Sequence, residues 1–198
     1  MSKQQAQCEA IRRAKEKLAE VDLAARCANQ GLPSPQDGIV RFRAFGIDLT
    51  LEQNLDLVET VTLKPAKPGD QILVLHYLLC DVPARETGEL ITFRELPGGQ
   101  FYWEPFLSRS INPLLKRVGN NLDVLKKNLS RFDWQPFNAG DFAAKIHAFG
   151  ILYGYLVYHC GDDEFPPAAE MLFDSSIKRI YNTEDAAFLA SRICIGLL

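Results

Sequence analysis

The sequence predicts an α+β domain with a mostly antiparallel sheet, and three observations carry that expectation. Stretches that read as strands come in clusters and do not alternate regularly with helical ones. Helical spacing of apolar residues occurs near the N-terminus, in the middle and at the C-terminus. The chain has 198 residues, 47% of them hydrophobic, which suits one core large enough to fold alone. No internal repeat, low-complexity tract or linker divides it, so residues 1–198 are expected to form a single domain.

Residues 6–29 read as one helix, because Ile11, Ala14, Leu18, Val21 and Ala25 recur at helical spacing with Arg12, Arg13 and Lys17 off that stripe. "GLPSPQDG" ends it with two Pro and two Gly. In "IVRFRAFGIDLTL", Ile39, Arg41 and Arg43 alternate with Val40, Phe42 and Ala44, and Gly46 marks a bend or hairpin. Ile72 to Cys80 is nearly all apolar, and periodicity does not separate a buried strand from a buried helix there. Asp70 as a cap and the leucine content favour the helix.

"GELITFRELPGGQFYW" reads as a strand followed by a Pro-Gly-Gly turn, and "EPFLSRSINPLLKRVG" and "NNLDVLKKNLSRF" as helices. "DFAAKIHAF", "ILYGYLVYHC" and "AAEMLFD" read as strands. Thr183 is placed to cap a final helix whose apolar face is Ala186, Ala190, Ile193 and Leu197.

Composition narrows the function classes. The net charge is −3 and the pI about 5.7, which offers no basic field for a phosphate backbone, so nucleic acid is not an expected partner. Acidity is concentrated from Asp162 onward, where seven acids face three bases. Five scattered Cys include no CxxC, so no iron–sulfur cluster is expected from this chain alone, and the thiols read as reduced. The polar N-terminus carries no signal peptide, and the longest apolar run is about half the ~20 residues of a membrane helix. A soluble, cytoplasmic protein is expected, with no membrane partner.

Two stretches invite chemistry. In "CGDDEFPPAAEMLFD", Asp162 and Glu164 would share a face if they lie on a strand, and with His159 they are candidate metal ligands or acid/base groups of a metal-dependent enzyme. The bland alternative is a solvated turn whose acids cap backbone N–H groups. The near-match to a Gly-Gly-Asp-Glu-Phe cyclase signature fails at Asp162, where that chemistry requires glycine. In a hairpin, Asp174 would lie at the end away from the turn.

In "FRELPGGQFYW", Pro97, Gly98 and Gly99 could present N–H groups to an anion, with Arg94 beside them. Phe101, Tyr102 and Trp103 would supply an apolar wall, with His76 beneath. The alternative is a plain turn opening an aromatic helix. His76 and Cys80 also lie four apart, a spacing that suits a soft metal or two buried core residues.

Four motifs, "HYLL", "ITFRELPGGQFY", "GDDEFPPAAEMLFD" and "TED", give the chain a resemblance over nearly its whole length to the domain of unknown function 3786 family of anaerobic bacteria and archaea. The family supplies no catalytic residues to carry over. Some members resemble this domain fused behind a Cys-rich segment similar to the iron–sulfur modules of corrinoid proteins. The resemblance therefore implies corrinoid or one-carbon chemistry, with any cluster supplied by a partner. The expectation is an accessory domain that binds a small ligand or cofactor of unknown identity. Its alternatives are the metal-dependent enzyme and a module that docks on a redox or corrinoid protein.

Overall fold

The computed structural model describes residues 2–198. It holds a three-stranded and a five-stranded sheet, both wholly antiparallel, in an α+β arrangement around one continuous core. The smaller sheet runs β1 (Val40–Ala44), β2 (Ile47–Leu51) and β3 (Leu57–Glu59) in that order. The larger has β4 (Leu90–Thr92), β5 (Trp134–Pro136), β6 (Phe142–Phe149), β7 (Leu152–His159) and β8 (Ala168–Asp174) in the order β4-β8-β7-β6-β5. The helices are α1 (Lys3–Leu18), α2 (Leu23–Asn29), α3 (Pro68–Leu79), α4 (Trp103–Arg109), α5 (Ile111–Val118), α6 (Leu122–Leu129), α7 (Ile177–Ile180) and α8 (Thr183–Gly196). Among the described residues no helix is long and apolar enough to cross a membrane.

The strands follow the alternation in the sequence. Along β1, Val40, Phe42 and Ala44 are buried while Arg41 and Arg43 are exposed. The β1–β2 turn places Phe45 and Gly46 at φ 52° and 78°, the pair of positive values a two-residue hairpin requires. In the large sheet, Ala144, Ile146, Leu156, Met171 and Phe173 are buried, and α5 and α8 pack over it. Gly154 lies so close to Ile193 of α8 that an added Cβ would stand 2.6 Å from its Cδ1. Asp70 and Arg192 pair at 2.7 Å and tie α3 to α8.

Four expectations are corrected. The helix expected over 6–29 is two, because Asp22 accepts the N–H groups of Ala24 and Ala25 and starts α2 afresh. Asp70 does not cap α3. It lies in the first turn after Pro68, buried against Arg192. "EPFLSRSINPLLKRVG" is also two helices, since Pro113 has no N–H for the Arg109 carbonyl, and the chain turns at Ser110. The cap of α8 is Asn182, which accepts the Asp185 N–H at 2.8 Å, and Thr183 is the first helical residue. Strands β3 and β5, three residues each, were not expected.

Candidate functional site

The first turn of α8 gathers side chains from three parts of the chain. Asn182 caps the helix and also donates its Nδ2 to Asp185 Oδ2 at 2.9 Å. The Thr183 hydroxyl donates to the Pro97 carbonyl at 2.6 Å, which fastens the Pro-Gly-Gly loop to the helix. Asp185 is 5% exposed and holds His76 Nδ1 at 2.9 Å. The carboxylate accepts, so Nδ1 is the donor of this bond and Nε2 is the ring nitrogen not engaged by Asp185. Beneath this pair the Tyr181 hydroxyl donates to the Leu73 carbonyl at 2.6 Å, and burial pushes its pKa well above the ordinary value.

His76 borders a groove of about 370 Å³ between α1 and α3. Helix α1 turns Ala6 and Ala10 toward it, and these short side chains leave the space open. Glu9, Arg13 and Lys17 stand along the same edge at i, i+4 and i+8, so they share one face of α1.

The Pro-Gly-Gly loop is a tight turn whose glycines have different reasons to be there. Gly98 sits at φ 74° with open space around it. A Cβ at Gly99 would lie 2.0 Å from the Phe93 carbonyl oxygen. The Gly99 N–H donates to Leu96 at 2.8 Å and the Phe101 N–H to Gly98 at 3.0 Å, so both donors are used inside the turn. The Arg94 guanidinium lies 4.2 Å over the Trp103 ring, and Trp103 stacks on Phe106 and Phe93 against the core. Phe101 and Tyr102 point the other way, 89% and 62% exposed. The loop residues thus divide between a core-facing stack and a two-ring knob in solvent. His76 and the loop are tied to the same helical turn, His76 through Asp185 and the loop through Thr183.

The acidic turn is built differently. Asp162 Oδ1 accepts the N–H groups of Glu164 and Phe165 at 2.9 and 2.8 Å, which holds its carboxyl below the usual carboxylate range. Asn120 brackets Gly161, accepting its N–H at 2.7 Å and donating to its carbonyl at 3.0 Å. His159 is exposed at the end of β7, beside the turn. Among the described residues no three His, Cys, Asp or Glu side chains are gathered as metal ligands, there or at His76 and Cys80. Asp174 lies at the far end of the β7–β8 hairpin and accepts from Thr87, Gly88 and Ser176.

Sequence reasoning did not single out Asp185, Asn182, Thr183, Arg13 or Lys17 as site residues. The i, i+4 spacing of Glu9, Arg13 and Lys17 was a readable signal for the groove edge. Nothing in the sequence pairs His76 with Asp185, which lies 109 residues away.

No curated protein and no solved structure matches the chain. A family model described as a domain of unknown function (DUF3786) matches residues 22–195. The match takes in His76, the Pro-Gly-Gly loop, the acidic turn and the first turn of α8, while α1 lies N-terminal to it. Covering most of the sequence, it shows that the chain belongs to the DUF3786 family, a domain of unknown function.

Proposed function

We propose that the chain is an accessory domain that binds a small ligand or cofactor in the groove between α1 and α3, with His76 as its polar anchor. The observation that carries this reading is the His76–Asp185 pair. A buried carboxylate fixes one ring nitrogen, so the imidazole is oriented before any ligand arrives and the other nitrogen is free to meet it. A cytoplasmic, anaerobic setting accords with five unpaired cysteines and with the implied corrinoid link.

The test is a thermal-shift panel on anaerobically purified protein that includes corrinoids and tetrapyrroles. A true ligand is expected to raise the melting temperature, and His76→Ala to weaken its binding about tenfold, or ~1.4 kcal/mol. A panel without a hit, or a hit unaffected by His76→Ala, overturns this reading.

A second reading is favoured by one further observation, the exposed Phe101–Tyr102 knob on a turn anchored by Thr183. Aromatic residues held out on a rigid support are common centres of protein interfaces. In this reading the knob docks on a redox or corrinoid protein. Phe101→Ala with Tyr102→Ala is expected to change stability by less than about 0.5 kcal/mol, because little contact is lost on the surface. The same pair of changes is expected to abolish capture of a stoichiometric partner in anaerobic pull-downs, and unchanged capture counts against the knob.

A further inference from the structure

The charges along the groove say what kind of ligand it suits. Glu9 is the acid on the α1 edge, and its carboxylate is already committed. It accepts from Arg12 at 2.7 and 3.0 Å and from Arg13 Nε at 2.6 Å, and those two guanidiniums hold its pKa down to about 2. Arg12 also reaches Glu16 at 2.5 Å. Lys17, one turn beyond Arg13, has no ion-pair partner among the described residues, and the terminal nitrogens of Arg13 make no protein hydrogen bond there. Across the groove, Asp185 is turned to His76 Nδ1 and to Asn182, behind the ring. Nε2 of His76 has no protein partner among the described residues. The surplus along this edge is therefore positive, and Ala6, Ala10 and Ala14 leave room beside it.

We propose that the ligand carries an oxyanion, a carboxylate or a phosphate, seated between His76 Nε2 and the cations Arg13 and Lys17. This rests on the reading of the groove as a ligand site. A ring that donates from Nδ1 to Asp185 and from Nε2 to the anion is the imidazolium. In this arrangement Asp185 stands as the countercharge behind the ring, and Glu9, Arg13 and Lys17 are the other charged groups facing it. Lys17 and Arg13 add charge at long range and, once the anion is seated, direct hydrogen bonds.

The experiment follows the His76 ring resonance by NMR. The chain has three His, and the His76 signal is the one missing from His76→Gln. The probes are inorganic phosphate, acetate and its neutral isostere acetamide, with chloride at matched ionic strength as the control for screening. Phosphate and acetate are expected to shift the signal saturably, and acetamide and chloride to leave it in place. Lys17→Gln and Arg13→Gln, both on the exposed surface of α1, are each expected to weaken phosphate binding by about fivefold to tenfold. Equal response to acetate and acetamide, or unchanged phosphate binding in both variants, overturns oxyanion recognition while leaving a ligand site at His76 standing. No response at His76 to any of these probes also overturns it. The broader reading is decided separately, by the thermal-shift panel and its His76→Ala arm.

Discussion

Asp174→Ala is expected to lower the free energy of unfolding by about 3 kcal/mol, the upper end of what hydrogen bonds to a charged acceptor contribute. Its two oxygens accept from the Thr87 N–H at 3.0 and 2.9 Å, the Thr87 hydroxyl at 3.0 Å, the Gly88 N–H at 2.8 Å and the Ser176 N–H at 2.9 Å. Asp174 is 9% exposed and the Ser176 donor is buried, whereas Thr87 and Gly88 lie at the surface, so the loss falls on the buried N–H and on the five hydrogen bonds that fix the loop. The carboxylate closes the loop before β4 onto the end of β8, the strand to which β4 itself pairs. A urea titration is the measurement, with a lower midpoint and an unchanged slope as the expected result. A loss under about 1 kcal/mol would mean that the loop rehydrates its own N–H groups.

The same residue gives a pH dependence of known sign. Burial pushes the Asp174 carboxyl up, but the hydrogen bonds from Ser176, Thr87 and Gly88 outweigh it and hold the pKa below the ordinary 3.8. A group with a depressed folded pKa contributes stability that is fully present above its unfolded value. That contribution is lost as the pH falls through the folded value. The gap between wild type and Asp174→Ala is therefore expected to be constant from pH 5 to 7, at about the 3 kcal/mol above, and to narrow below about pH 4. A gap that widens on acidification would contradict the assignment.

The parts of the fold that were legible in the sequence are those where one periodic signal acts alone. The β1–β2 hairpin is visible in the alternation of Val40, Phe42 and Ala44 and in Gly46. The β6, β7 and β8 strands were equally plain, and so was the placing of Asp174 away from the turn. Helix breaks were harder, because a capping side chain interrupts hydrogen bonding without disturbing apolar spacing, as at Asp22. The site was least legible. A Pro-Gly-Gly run tells that positive φ is allowed, but not where the N–H groups aim, and two of them aim inward. His76 could be suspected as polar in an apolar helix, but its orientation depends on Asp185, which local pattern reads only as a favourable first-turn charge.

Gly99→Ala is expected to cost about 4 kcal/mol, and Gly98→Ala only about 1 kcal/mol, although the two glycines are neighbours. At Gly98 the space is open and the penalty is the left-handed backbone alone, φ 74°. At Gly99 an added Cβ would stand 2.0 Å from the Phe93 carbonyl oxygen and 3.1 Å from that of Leu96. Both are backbone atoms, so the turn itself must move and not merely a side chain. Trp103, which stacks on Phe93, moves with it, so its fluorescence is expected to change in Gly99→Ala and not in Gly98→Ala. The displacement should also travel. Pro97 is held by Thr183, and Asp185 lies two residues further along the same turn, holding His76. In Gly99→Ala the His76 ring resonance is therefore expected to shift, while in Gly98→Ala it stays. Equal destabilisation by both changes would sink the close-approach argument. A His76 signal unmoved in a destabilised Gly99→Ala would show that the loop and the groove share a helix without sharing a response.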